Sequence, residues 1–153
     1  YLLERGPNVL ADVLSLERAS MERKAIVPTP RVALRMLTSH LIEQGLAEAL
    51  VARNRTNGRA EAGVVAPRDS TRTYTWVMGS EPGPAMTFLI GEIARETQAR
   101  GGPWLCLGGA NVPSVAEYKR GFAPELTPFF RVRGISHPVL RLREAWRQLR
   151  SDG

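Results

Sequence analysis

The chain has 153 residues, of which 43% are hydrophobic and 24% charged, which is typical of one water-soluble globular domain. No apolar run approaches the ~20 residues of a membrane-spanning helix, and the start of the sequence lacks a signal-peptide pattern. The single cysteine, Cys106, excludes a disulfide framework, so we expect a cytoplasmic protein. His40 and His137 have no carboxylate or cysteine at ligand spacing, and no metal site is expected.

The net charge of +6 comes almost entirely from arginine. All but two of the 21 basic residues are arginine, the exceptions being Lys24 and Lys119. Coding bias explains most of this preference. The excess charge could also attract an acidic ligand such as the pyrophosphate of CoA, a tRNA or an anionic glycan, and charge alone does not choose among them.

Two amphipathic helices are predicted after a short first strand at residues 1–5. Asn8 is a candidate N-cap for a helix that runs to about Ala25. Thr29 followed by Pro30 marks the start of a second helix, which ends at Gly45. The apolar positions at helical spacing are Leu10, Val13, Leu14, Leu16 and Met21 in the first helix and Leu34, Leu37, Leu41 and Ile42 in the second.

Three short strands follow, because the apolar period shortens and turn residues separate the runs. The pair Asn57-Gly58 is a strong hairpin signal, which favours an antiparallel meander over residues 47–54, 60–66 and 71–78. In the third strand a strict alternation would place Tyr74, Trp76 and Met78 on one face and Thr73, Thr75 and Val77 on the other.

The remaining sequence alternates between helix and strand. A helix with Met86, Leu89, Ile90, Ile93 and Thr97 on its inner stripe ends at Gly101-Gly102. Its length suits a crossover connection, so the strand at 104–107 should lie parallel to the strand at 71–78. A helix at about 113–122, a closing strand at 127–133 and a basic helix from Pro138 complete the order.

These elements predict an α/β (mixed α+β) fold with a central mixed sheet and helices on both faces, in a single domain over residues 1–153. The order β-α-α-β-β-β-α-β-α-β-α resembles that of the GNAT acyltransferase fold. In that fold two neighbouring parallel strands splay apart and open a slot for the acyl donor.

Three stretches resemble the FemAB-like branch of the GNAT superfamily. They are LERASMERKA (16–25), TYTWVMGSEP (73–82) and LGGANVPSVAEYKRGFAPELTPFFRV (107–132). The resemblance covers nearly the whole chain, and its last block is the most specific. Two departures stand out: Ala123 replaces the family's final glycine, and the chain holds one module where the family commonly has two. A fragment, a half-enzyme or a homodimer would each account for the single module.

The resemblance implies an acyltransferase. The donor would be acetyl-CoA or another acyl-CoA, with aminoacyl-tRNA as the alternative. The acceptor would be an amine or hydroxyl of a cell-envelope or polysaccharide precursor. A non-catalytic GNAT-like module that dimerises or binds a partner is the competing interpretation.

Lys119 is the first candidate for a catalytic residue. The matching lysine recurs in the resembling family, and a lysine can hold a phosphate or stabilise an oxyanion as the acyl group moves. On the predicted helix, however, Val115, Tyr118 and Phe122 form an apolar stripe, and Lys119 could simply lie at its edge.

The candidates for substrate binding are Asn111, Tyr74, Trp76 and Lys24. Asn111 follows two glycines at a strand end, where it could bind substrate or cap the next helix. Tyr74 and Trp76 could line an acceptor groove or belong to the core. Lys24 lies at the end of the first helix, where GNAT acceptor sites often lie and where the helix dipole alone favours a cation.

The candidates for donor binding are Met78, Gly79, Ser80 and Ala85, between the third meander strand and the next helix. The GNAT signature for CoA, Arg/Gln-x-x-Gly-x-Gly/Ala, should occur here, because amides at a helix N-terminus favour an anion. The sequence Gly79 to Ala85 lacks it. Two prolines remove donors, and Glu81 would repel a phosphate.

Overall fold

The computed structural model describes residues 1–27, 29–102, 104–109 and 113–128. Its internal contacts divide the chain into two units, Tyr1–Ala116 and Glu117–Gly153. The sheet, its covering helices and the site around β5 described below all belong to the first unit. No helix in the described ranges has the length and apolar character needed to cross a membrane.

The described part combines four α-helices with antiparallel and parallel strands, which confirms the predicted mixed α/β class. The strands are β1 (Leu2–Arg5), β2 (Ala47–Arg53), β3 (Ala60–Pro67), β4 (Arg72–Tyr74), β5 (Val77–Ser80) and β6 (Trp104–Cys106). The helices are a 3-10 turn (Pro7–Val9), α1 (Leu10–Arg23), α2 (Arg31–Glu43), α3 (Ala85–Ala99) and α4 (Pro113–Arg120).

The predicted antiparallel meander and the parallel crossover strand are both present. One sheet has the strand order β1-β2-β3-β5, with every neighbouring pair antiparallel. A second pair joins β4 to β6 in parallel, with Tyr74 opposite Cys106. The parallel pairing follows from α3, which carries the chain back across the sheet between the two strands.

The first face of the sheet holds the main core, formed with α1 and α2. Val13 of α1 and Val65 of β3 are completely buried within it. The buried members of this cluster are Val9, Leu10, Val13, Leu14, Leu34, Ala47, Ala49, Val51, Val65 and Val77. Four of the five predicted inner positions of α1 are buried, and Met21 is half-buried.

The second face is covered by α3. All five predicted inner positions of this helix are buried: Met86, Leu89, Ile90, Ile93 and Thr97. Ile93 and Thr97 line a hollow together with Leu50 of β2 and Ala66 of β3, which fixes the face on which α3 lies.

Both predicted helix caps are wrong. The segment from Pro7 forms a 3-10 turn, so α1 begins at Leu10 after Val9 and has no side-chain cap. Pro30 itself is the N-cap of α2, again without a side-chain bond. The end of α2 is as predicted, because Gly45 has a φ of 68°, a conformation that glycine adopts without strain.

The predicted inner face of α2 is only partly correct. Leu34 is buried and Leu41 and Ile42 pack against the core, but Leu37 is 49% exposed. Thr38 is buried instead, and its hydroxyl donates to the carbonyl of Leu34 at 2.8 Å. The hydroxyl can be buried at this inner position because a carbonyl of the same helix accepts its hydrogen bond.

Some predictions fall on residues outside the described ranges. These are the position of Asn111, the helix from Pro138 and most of the strand at 127–133. Thr127 and Pro128 are described and do not belong to a strand, and α4 ends at Arg120 rather than at about 122.

Candidate functional site

The strand predicted at 71–78 consists of two strands, β4 and β5, separated by a β-bulge. Val77 lies opposite Val65, whereas Thr73 lies opposite Arg68. Three residue steps on β3 therefore match four steps on the other side, so one extra residue is inserted. The N–H of Trp76 donates to the carbonyl of Val65 at 3.2 Å within the bulge.

The bulge reverses which face the following side chains occupy. Thr73 lines the hollow beneath α3, whereas Gly79 lies against α1 on the other face. The predicted common face of Tyr74, Trp76 and Met78 is therefore wrong, since the strict alternation it assumed is broken between Thr73 and Val77. Trp76 is 43% exposed at the bulge, where a core position was the alternative interpretation.

The parallel strands separate immediately after the bulge. The N–H of Thr75 donates to the carbonyl of Cys106 at 2.9 Å, and this is the last bond between the two strands in the described ranges. Beyond it, within the described residues, β5 pairs only with β3, and residues 107–109 belong to no strand. No described pairing joins β5 to the chain that follows β6, and we call the space along this edge of β5 the gap.

The edge of β5 that faces this gap carries main-chain groups that the sheet does not use. In an antiparallel pair, alternate residues turn their N–H and C=O groups towards the partner strand. The N–H of Glu81 donates to the main-chain carbonyl of Glu61 at 2.8 Å. Gly79 lies two residues earlier and opposite Gly63, so its main-chain groups also point towards β3. Met78 and Ser80 therefore point their main-chain groups towards the gap. An extended ligand with amide groups can pair with such an edge as an added strand does.

The C-terminal half of α1 lies directly against β5. A Cβ atom at Gly79 would overlap the backbone of Leu16 and Glu17, so only glycine permits this approach. Nearly two turns further on, the Arg23 guanidinium donates to the carbonyl of Ser80 and pairs with the Glu81 carboxylate at 3.4 Å. Arg23 was not among the predicted substrate-binding residues. Lys24, which was predicted instead, is exposed at the C-cap of α1.

The loop between β5 and α3 differs from a phosphate-binding loop, as the sequence indicated. Pro82 and Pro84 have no N–H, and α3 begins only at Ala85, which is 1% exposed. The helix has no acidic residue in its first turn, and the Arg23 guanidinium partly balances the charge of Glu81. The repulsion that Glu81 would exert on a phosphate is therefore weaker than the sequence alone suggests.

The buried face of α1 carries two polar residues that the sequence analysis did not select, Glu17 and Ser20. They are 6% and 5% exposed. Burial raises the pKa of the Glu17 carboxyl above its ordinary value, because a charged carboxylate loses hydration there. Their helical spacing with Val13 could have identified them, but a polar residue on an apolar stripe is normally assigned to its edge.

Tyr74 lies in β4, and its hydroxyl donates to the Asp69 carboxylate at 2.9 Å. Asp69 also accepts the backbone N–H and hydroxyl of Thr71 and the N–H of Arg72, and together these bonds lower its pKa to about 2. Tyr74 is thus held by the loop that precedes its own strand. Whether it contacts substrate stays a prediction.

Lys119 lies on α4 and is 8% exposed, whereas its neighbour Arg120 is exposed and pairs with Glu117. The ring of Tyr118 packs edge-on against that of Phe122, with centroids 5.4 Å apart, as the predicted apolar stripe requires. A buried lysine is unusual and needs compensating contacts. Its catalytic role stays a prediction.

Cys106 is half-buried at the end of β6, where its carbonyl accepts the last bond before the gap. Within the described ranges no cluster of histidine, cysteine and acidic residues could hold a metal ion. The residues that the structure brings together are those around β5: Met78, Gly79, Ser80, Glu17 and Arg23.

No protein-family model matches the chain, and no curated protein matches its sequence. Several solved structures match its fold. A predicted acetyltransferase with acetyl-CoA from Clostridium acetobutylicum is 14% identical, with a TM-score of 0.67 over 90% of this chain and 98% of that one.

Two further structures extend this comparison. A ribosomal-protein-alanine N-acetyltransferase from Brucella melitensis biovar Abortus is 15% identical, with a TM-score of 0.64 over 88% of this chain and all of that one (100%). AAC(6')-Iy in complex with a CoA-containing bisubstrate analogue is 12% identical, with a TM-score of 0.64 over the same shares, 88% and 100%. The chain therefore has the GNAT acyltransferase fold, as its order of elements predicted.

Proposed function

We propose that the protein is an N-acyltransferase that moves an acyl group, acetyl in the simplest case, from CoA to an amine. The observation that carries this proposal is that, within the described residues, β5 and β6 are not paired after the bulge, which leaves the main-chain groups of Met78 and the N–H of Ser80 without sheet partners, while Arg23 already donates to the Ser80 carbonyl. The pantetheine arm of CoA is extended and contains amide groups, so it can add to this edge.

The acyl end of such a donor would lie near the bulge at Thr75 and Trp76. No covalent enzyme intermediate is needed, because direct transfer requires only that amine and thioester carbonyl are aligned and that the developing oxyanion is stabilised. Lys119 remains the sequence-based candidate for that second role, and the structural neighbours described as binding acetyl-CoA or a CoA analogue support the choice of donor.

The finer assignments rest on the sequence resemblance alone. They are the FemAB-like branch, an acceptor from the cell envelope or from polysaccharide synthesis, and aminoacyl-tRNA as the donor. The departure from the phosphate-binding signature between Gly79 and Ala85 fits a donor held mainly through its pantetheine arm, and it equally fits a tRNA donor.

Donor binding and transfer by the full chain test this proposal. We expect acetyl-CoA to raise the melting temperature, and we expect an acceptor amine to cause release of free CoA thiol in stoichiometric amounts with the acylated amine. The primary amines tested should include a peptide that begins with alanine and an aminoglycoside, because two of the structural neighbours are named for such acceptors.

Three results would contradict the proposal. Salt-dependent retention of aminoacyl-tRNA without a response to CoA would favour the tRNA donor. A stable dimer that responds to neither would favour the non-catalytic module. Thiol release that does not depend on any amine would indicate hydrolysis instead of transfer.

A further inference from the structure

Glu17 is a carboxylate in a position that costs stability and that nothing in the described part of the fold explains. It lies on the inner stripe of α1 in line with Val13, and it is 6% exposed. The backbone of Glu17 lies against Gly79 of β5, the strand that borders the gap. Burying an ionised carboxylate without a partner is unfavourable, and groups of this kind concentrate at functional sites.

The basic residues of the same helix are engaged elsewhere. Arg18 pairs with Glu22 on the exposed side at 2.8 Å, and Arg23 is held by Ser80 and Glu81. Glu17 itself makes no hydrogen bond or ion pair within the described part of the chain. The carboxylate therefore has capacity for an external cation.

The Glu17 carboxylate also remains accessible. Among the described residues, no side-chain polar atom is both shut off from water and without a partner. Since the Glu17 oxygens lack a partner, they must keep an opening to solvent although the rest of the side chain is covered. A solvent-accessible carboxylate on the helix that packs against β5 is suited to bind a small cationic group.

We infer that Glu17 is the acceptor-binding carboxylate: it receives the acceptor's ammonium group beside β5 and takes a proton from it. This rests on the proposed function, because the acyl donor defines where the amine must arrive. The substrate class that follows is a cationic primary amine, as opposed to a hydroxyl or a neutral amide.

The transfer consumes the ammonium ion and the thioester and yields an amide, the CoA thiol and one proton. The Glu17 carboxylate accepts one proton from the ammonium and leaves a neutral amine with a free electron pair. The nitrogen attacks the thioester carbonyl, a C–N bond forms and the C–S bond breaks. The second nitrogen proton goes to the leaving CoA thiolate, and the proton on Glu17 passes to water. Burial favours this exchange, because it makes the carboxyl a better proton acceptor than an exposed glutamate.

Two CoA thioethers test the inference without knowledge of the natural acceptor. S-(aminoethyl)-CoA places an ammonium where the amine would arrive, and S-propyl-CoA is its uncharged counterpart of equal length. By isothermal titration calorimetry on the full chain, we expect the charged ligand to bind about tenfold to hundredfold more tightly. Glu17→Gln should abolish this preference and leave the affinity for S-propyl-CoA unchanged.

Glu22→Gln, on the exposed side of the same helix, is the matched control and should keep the preference. Glu17→Gln should also raise the melting temperature at neutral pH, which separates the loss of preference from misfolding. If Glu17→Gln still binds the charged ligand more tightly, Glu17 does not bind the ammonium group. The same conclusion follows if the wild type binds both ligands with equal affinity. In both cases the proposed function stands. If neither ligand binds, the proposed function itself fails.

With an amine that the enzyme acylates, a kinetic measurement gives a second criterion. Glu17→Gln should raise KM for the amine and lower kcat, with KM for acetyl-CoA unchanged. An unchanged KM for the amine would overturn the inference.

Discussion

Gly63 and Gly79 lie directly opposite each other on β3 and β5, and α1 crosses over both. A Cβ at Gly63 would lie 2.9 Å from the Cα of Val13, and one at Gly79 would overlap the backbone of Leu16 and Glu17. The helix therefore contacts the sheet through its main chain at this point. This close approach brings Glu17 and Arg23 to the strand that borders the gap.

Gly79→Ala is expected to destabilise the fold by about 3 kcal/mol, because its Cβ can be accommodated only if α1 moves away from β5. Gly91→Ala is the control. Gly91 lies in α3 with open space where a Cβ would project, and alanine there should stabilise by about 0.5–1 kcal/mol. Urea unfolding of both variants measures the two changes, and equal effects at the two sites would disprove the close contact.

Ser80→Pro is expected to weaken CoA binding at least tenfold without a large loss of stability. The Ser80 N–H points towards the gap, so proline removes a ligand-facing donor and no sheet bond. Ser80→Ala keeps the N–H and should bind CoA as the wild type does. Calorimetric titration measures both affinities, and equal loss in the two variants would mean that the hydroxyl is the important group.

Lys119→Ala is expected to abolish acyl transfer and to change the melting temperature by no more than a few degrees. The reason is the loss of a positive charge that would stabilise the oxyanion. Arg120→Ala, at the exposed neighbouring position, should leave the rate unchanged, and Lys119→Arg should restore part of it. A large loss of stability with unchanged activity per folded molecule would refute the catalytic role.

Asp69→Asn is expected to destabilise the protein at neutral pH and to have a much smaller effect at about pH 2. The carboxylate is held by Thr71, Arg72 and Tyr74, which lowers its pKa to about 2, below the unfolded value of about 3.9. Its contribution is therefore present above about pH 4 and is lost as the pH falls towards 2. Melting temperatures across this range measure the effect, and Ser70→Ala serves as the control. A difference that stays constant with pH would contradict this account.

The sequence predicts well what depends on local periodicity. The inner stripe of α3, the meander and the parallel return of β6 follow from apolar spacing, turn residues and the length of the crossover. The stop of α2 at Gly45 follows from the left-handed conformation that glycine accepts.

What the sequence does not predict depends on partners distant in the chain. The bulge at Trp76 exists only in relation to Val65, so alternation within residues 71–78 cannot reveal it. Glu17 becomes a candidate only when Gly79 is known to lie beneath it, because hydrophobic patterning excludes polar residues from the inner stripe. The burial of Thr38 is not predicted for the same reason.

The bulge also constrains how this segment can change in length. Arg68 and Val65 are three steps apart on β3, so removing one residue between Tyr74 and Val77 would give a regular strand in which Thr73 and Val77 keep their partners. Gly79 would stay opposite Gly63 and against α1 after such a deletion. A further inserted residue would instead require a larger bulge or a shift of one flank that exchanges its two faces. The single extra residue therefore breaks the alternation of side chains along the strand without changing its register with β3.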